Sequence, residues 1–159
     1  MRTIRGDVLL VRCREAPKEI RALTWQAEHI REMATAITRA IGGETTRSGT
    51  ERDSLAEYAA EIDRIETDIA DRRREYAEEL DAAGRMIAGR GERVGGILRR
   101  HYVDGWSYRE IAEEAMRGER TVKGTVSEAL KWAARLQIPM SAWYMARREA
   151  ERERMQRRV

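Results

Sequence analysis

From Ile20 onward the apolar residues of this chain recur at alternating steps of three and four: Ile20, Leu23, Ala27, Ile30, Ala34, Ile37 and Ile41. These steps average close to one helical turn, so all seven fall on one seam, and the pattern satisfies the heptad rule of a coiled-coil strand. A weaker stripe of Ala22, Trp25, His29, Met33, Ala36 and Ala40 runs beside it, which predicts that the helix meets more than one neighbour. Pro17 is expected in the first turn, where its missing N–H is no loss, and residues 1–16 read as a short strand or a frayed helix. Gly42 and Gly43 should stop the helix, and the polar stretch to Gly49 reads as a loop. Thr50 with Asp53 resembles a capping box, the shorter acid standing in for Glu. Leu55, Tyr58, Ile62, Ile65 and Ile69 then continue the same spacing. Arg72 interrupts it, and Tyr76, Leu80, Ala83 and Ile87 resume it after a stutter. Two such helices predict an antiparallel hairpin over residues 1–88, its stripes serving as core or oligomer interface rather than as a cofactor groove.

Composition agrees with an all-α chain. Charged residues make up 37%, aromatics 6%, and there is no Phe, so a heavily solvated helical protein with almost no sheet is expected. Within 159 residues there is room for one compact domain with an extension, or for one elongated domain. The net charge of +3 is uneven. Basic residues outnumber acidic ones by five to two in residues 1–18, ten to seven in 89–136 and six to three in 137–159, but are outnumbered ten to sixteen in 19–88. Basic ends of this kind suit a polyanion, while the acidic middle suits water or a basic protein surface. Cys13 is alone, and His29 and His101 are the two histidines, so neither a disulfide framework nor a zinc site is expected. The apolar run Val8–Val11 is too short for a signal-peptide core or a membrane span, which leads to the expectation of a cytoplasmic protein.

Gly89-Arg90-Gly91 is the expected boundary between the hairpin and a module over 89–138. That module opens with a helix carrying Val94, Ile97, Leu98 and Tyr102, closed by Asp104-Gly105, where glycine admits a left-handed turn. Ser107 and Glu110 form a capping box for the next helix, whose inward face is read as Tyr108, Ile111, Ala112, Ala115 and Met116. A turn at 116–118 leads to a third helix from Glu119 to about Leu136, because Pro139 biases Ile138 away from helical backbone. Val122, Val126, Ala129, Leu130 and Ala133 share its inner side, and Arg120, Gly124, Ser127, Lys131 and Arg135 its outer one. This is the spacing of a helix-turn-helix, and the outer face has the chemistry of a major-groove reader. Arg120 can reach guanine O6 and N7, Lys123 and Lys131 can neutralise phosphates, Gly124 admits close backbone approach, and Ser127 can donate to a base or phosphate. Arg109 is placed to touch the DNA backbone from the preceding helix. Residues 139–159 are expected to form a basic helix, either solvated or touching phosphates through Arg147, Arg148, Arg152 and Arg154.

The stretch RRHYVDGWSYREIAEEAMRGERTVKGTVSEAL resembles region 4 of sigma factors, and in particular the small sigma-like phage transcription regulators in which a helical segment precedes such a module. The resemblance covers residues 92–136 directly. Its hydroxyl-x-x-Glu-Ile-Ala start is matched by Ser107, Glu110, Ile111 and Ala112, and its closing Ala-Leu by Ala129-Leu130. It implies DNA-reading positions at Glu119, Arg120, Lys123 and Gly124. Gly118 replaces the usual Ser or Thr N-cap, the turn has Met116-Arg117 without its usual glycine, and Gly124 replaces a polar reader, so base preference is not inherited.

The expectation is therefore a non-catalytic, sequence-specific regulator of transcription that binds double-stranded DNA, encoded by a phage or prophage and acting in the bacterial host cytoplasm. The resemblance adds RNA polymerase as a partner, and the coiled coil suggests a homodimer. A phage small-terminase-like packaging subunit also combines a helix-turn-helix with a coiled coil, but assembles as a ring of about eight or more copies. A coiled-coil adaptor with negligible DNA binding is the third reading. No nucleophile with its base, phosphate-cradling loop or metal set is apparent in the sequence, and the carboxylates Asp63, Glu66, Asp68 and Asp71 read as a solvated helix face, so neither an enzyme nor a cofactor is expected.

Overall fold

A computed structural model describes the backbone of residues 2–41 and 49–159, and the side chains of 2–40 and 52–159. Among these the architecture is all-α. The elements are β1 (Thr3–Arg5), α1 (Gly6–Ile41), α2 (Gly49–Ala88), α3 (Glu92–Leu98) continued by a π-helical turn at Arg99–Val103, α4 (Tyr108–Ala115), α5 (Glu119–Ala134), β2 (Gln137–Pro139) and α6 (Ala142–Arg157). The described chain forms two compact units, Met1–Glu15 with Glu75–Val159, and Ala16–Arg74.

The Ala16–Arg74 unit is a helical hairpin. Ala27 and Ile65 are buried on the predicted seams, with Ile20, Leu23, Ile30, Ala34, Ile37, Leu55, Tyr58, Ile62 and Ile69 half-buried around them. Glu19 pairs with Arg72 at 2.7 Å and Arg31 with Glu66, so the partner number falls as the α1 number rises and the helices run antiparallel. Arg72 thus enters the seam as one half of an ion pair and is itself buried. Ala22, Trp25, His29, Met33, Ala36 and Ala40 do not meet the second neighbour expected of them: all six are exposed. The expected stop at Gly42-Gly43 and the loop after it lie outside the described residues. α2 opens at Gly49, one residue before the expected N-cap Thr50, whose side chain also lies outside them.

The other unit holds the main core. Its N-terminal segment corrects the reading of Pro17 as a first-turn residue, because α1 begins at Gly6 and Pro17 lies inside it. Leu9, Cys13 and Ala16 are buried and extend the three-four steps of the later seam back to the helix start. Before the helix, β1 pairs antiparallel with β2 in the register Thr3↔Pro139, Ile4↔Ile138, Arg5↔Gln137. Pro139 therefore sits at the end of an edge strand, where a missing N–H is tolerated. The chain then passes close beneath α5: Gly6 N–H donates to the Leu136 carbonyl at 3.1 Å, and a Cβ on Gly6 would stand 2.6 Å from both Ala133 O and Met86 Sδ.

Leu9, Leu10, Ala83, Leu98, Ile111, Val122, Ala129, Ala133 and Tyr144 are fully buried in one core that joins β1, α1 and the end of α2 to every helix from α3 to α6. Burying a Leu- or Ile-sized side chain contributes about 1.5–3 kcal/mol, so this cluster dominates the stability of the unit. Gly89–Gly91 belongs to the same unit as an exposed tight turn, Gly89 N–H donating to Met86 O at 3.1 Å and Arg90 N–H to Ile87 O at 2.9 Å. Gly91 takes φ 87° there, a left-handed value that glycine adopts freely. α6 is docked through Tyr144, so its first turns are neither a free arm nor fully solvated, whereas residues 151–159 are exposed.

Candidate nucleic-acid interface

The helix-turn-helix is built from local chemistry that the sequence carries. Gly105 takes φ 78° and reverses the chain after the π-helical turn. Ser107 Oγ then accepts from Glu110 N–H at 3.1 Å, while Glu110 Oε2 accepts from Ser107 N–H at 2.8 Å, so two N–H groups that the first turn of α4 leaves open are satisfied reciprocally. Ile111 and Ala112 face the core and Tyr108 is half-buried. Met116 does not belong to that inward face, as it was expected to: it is 93% exposed. The cause is its backbone, which takes φ 52°, ψ 43° as the C-cap of α4 and turns the chain toward α5. Gly118, extended at φ −70°, ψ 144°, is the N-cap of α5 without a side-chain acceptor.

α5 buries Val122, Val126, Ala129 and Ala133, and Leu130 is half-buried beside them. Glu119, Arg120, Lys123, Gly124, Ser127, Lys131 and Arg135 are all exposed. From Arg120 to Lys131 this outer face spans about 16 Å at the helical rise, enough to lie along a major groove. The candidate cations differ in what holds them. Lys123 pairs with Glu119 at 3.2 Å and has its Nζ 5.9 Å from the Tyr108 ring centre; Lys131 pairs with Glu128 at 3.1 Å, and Arg109 with Glu113 at 3.2 Å. The Arg120 side chain makes no hydrogen bond or ion pair among the described residues, and neither does that of Arg117, in the turn just before α5. A Cβ on Gly124 would meet nothing within 4 Å, so the helix surface there is open. Arg109 stands on α4, apart in sequence from the α5 set, as expected.

No protein-family model, curated protein or solved structure matches the chain.

The support beneath this face was not legible in the sequence. His101 is buried, with its ring stacked on Tyr108 at 4.2 Å and edge-on to Tyr102 at 4.8 Å, and its Nδ1 lies 2.8 Å from the Trp106 carbonyl. Arg14 of α1 donates to the His101 carbonyl at 2.6 Å. Burial holds the imidazole below its ordinary pKa, and the Arg14 charge adds to the effect against the opposing Trp106 hydrogen bond. Burial likewise pushes Tyr102 up to about 12. Arg100 pairs with Glu114 at 2.8 Å while lying 5.5 Å from the Trp106 ring centre, tying the π-helical turn to α4.

A second group of charges fixes α6. Glu79, fully buried, accepts from Arg12 Nε at 2.6 Å and from Tyr144 OH at 2.9 Å. Glu75 accepts from Arg12 Nη2 at 3.1 Å and from Arg147 Nε at 3.0 Å. Arg147 is thereby engaged inside the unit, and Arg148 lies 3.5 Å from Glu151, while Arg152 and Arg154 remain exposed. Burial by itself would lower the Arg12 pKa, but Glu79, with Tyr144 and Glu151, raises it overall. Burial next to Glu79 raises that of Tyr144, which stays a donor. The i, i+4 spacing of Glu75 and Glu79 was a visible signal for a shared helix face; their long-range partners left none.

Proposed function

We propose that this chain is a sequence-specific regulator of transcription that binds double-stranded DNA through the outer face of α5. The observation that carries the reading is the exposed row Arg120, Gly124, Ser127 and Lys131 on a helix held to α4 by a three-residue turn, with the Arg120 guanidinium uncommitted. Docked along a major groove, Arg120 supplies two parallel donors that match guanine O6 and N7, and Gly124 removes the side chain that would hold the backbone away. Lys123, Lys131 and Arg109 exchange their glutamate partners for phosphates. Those surface pairs are each worth only a few tenths of a kcal/mol, so the exchange is nearly free. The sigma-like resemblance of residues 92–136 supports a transcriptional role in the bacterial cytoplasm, with RNA polymerase as the protein partner and a phage or prophage as the source. Among the described residues no helix is long and apolar enough to cross a membrane.

The test is a salt titration of binding to random and genomic DNA fragments by the intact protein beside Arg120→Ala and Lys131→Ala. Arg120→Ala should lose about 1–3 kcal/mol of discrimination between sites. Lys131→Ala should weaken every site alike and reduce the slope of log K against log salt by about one. Intact protein that binds no DNA at low salt would leave the coiled-coil adaptor as the account.

A further inference from the structure

The geometry points to the exposed face of α1 between Lys18 and Met33 as a homodimer interface, in which two copies pack α1 antiparallel about a two-fold axis passing beside Trp25. In the hairpin unit, α1 turns its Ile20–Ile37 seam toward α2 and leaves the neighbouring stripe of Ala22, Trp25, His29 and Met33 uncovered. Trp25 is 64% exposed and Met33 38%, and the Trp25 ring is stacked flat on His29 at 5.2 Å with 3° between the planes. A large rigid aromatic surface beside small Ala22 is the relief that helix pairs use, the bulky group of one copy seating over the small residue of the other.

The charges beside the stripe choose the occupant and its direction. At about 100° per residue, Arg21, Glu28 and Glu32 lie along the same flank of the stripe. All three are exposed and make no ion pair among the described residues. In an antiparallel pair the same flank of both helices meets. With the axis beside Trp25, Arg21 of one copy stands opposite Glu28 of the other, and Ala22 opposite the Trp25–His29 stack. This charge pair is of opposite sign and occurs twice by symmetry, as an isologous interface requires. A parallel pair brings that flank against Gln26 and Met33 instead and forms no charge pair. Self-complementarity about one point of one helix is what a second copy of this chain demands and what an unrelated partner does not. This inference is independent of the DNA reading, and either can fail without the other.

The experiment is sedimentation velocity of the full chain over a concentration series, for the natural sequence, Arg21→Glu, Glu28→Arg, the double exchange, and Trp25→Ala. Circular dichroism and thermal unfolding of each variant check that the fold is kept, which the exposure of all three positions favours. The natural chain should be a dimer. Each single reversal should weaken it about tenfold, because two symmetry-related attractions become repulsions, and the double exchange should restore it. Positions 21 and 28 are about 10.5 Å apart along one helix, too far to pair within a copy, so rescue can come only across the interface. Trp25→Ala should shift the equilibrium to monomer. A monomer at every concentration, a ring of many copies, or a dimer indifferent to these exchanges would each overturn the inference.

Discussion

Replacing Met116 by glycine should make this protein more stable, although it deletes an entire side chain. Met116 is the one non-glycine residue with positive φ among the described residues, at φ 52°, ψ 43°. In that region Cβ crowds the following carbonyl, at a cost of about 1–2 kcal/mol for an ordinary L-residue. Glycine removes the crowding but is freer in the unfolded chain, which returns about 0.4–1 kcal/mol of the gain. Little hydrophobic burial is lost, because the side chain is 93% exposed. The net expectation is a stabilisation of about 0.5–1 kcal/mol, or a rise in Tm of a few degrees for a chain of this size. Met116→Ala is the control: it deletes the same exposed side chain but keeps the Cβ, and should leave stability within about 0.5 kcal/mol of the natural chain. Urea unfolding followed by circular dichroism, with thermal scans, reads both. If glycine destabilises, or if alanine stabilises as much as glycine, then backbone strain at the turn is not what the substitution relieves. DNA binding should be unchanged in both variants, since Met116 precedes the proposed reading face.

Two further outcomes concern buried polar groups of the same unit. Glu79→Ala should destabilise by about 1–3 kcal/mol, because it takes the buried carboxylate acceptor from Arg12 Nε and the Tyr144 hydroxyl while Glu75 still holds Arg12 Nη2, whereas Glu79→Gln keeps an acceptor and should cost distinctly less; equal losses in urea unfolding would show that the carboxylate is not the linchpin of the cluster. His101 gives a pH dependence whose sign is fixed. Its pKa is lowered in the folded state, so on acidification the unfolded chain takes up the proton first; the stability due to the neutral ring is complete above about pH 6.5 and is lost as pH falls from there through the folded value. NMR titration of the ring should show the depressed pKa, and His101→Gln should flatten the fall in stability between neutral and mildly acid pH.

Much of the fold was legible because its signals are local. The three-four steps define the hairpin seams, the Ser107–Glu110 pair sets the start of α4, and Gly105 marks a left-handed turn, each through chemistry acting over a few residues. The inner and outer faces of α5 follow from helical period alone, and the candidate reading residues emerge together on that outer face. What misled was local as well. Pro17 reads as a helix start, yet Leu9, Cys13 and Ala16 continue the seam behind it and their burial holds the helix through the proline. Met116 fits the inward period of α4 until its backbone leaves helical geometry.

Helical period, caps and turn glycines act between near neighbours, and they are enough to specify an all-α chain, the antiparallel hairpin and the helix-turn-helix with its polar outer face. Long-range packing set the strand pairing of residues 3–5 with 137–139, the closeness of Gly6 to α5, and the enclosure of Glu75 and Glu79 with Arg12, Tyr144 and Arg147. It also decided which stripe of α1 stays open and which basic side chains are already held by glutamates. Each of these depends on groups distant in the chain or on competition among several neighbours for one charge, and neither leaves a period in the sequence.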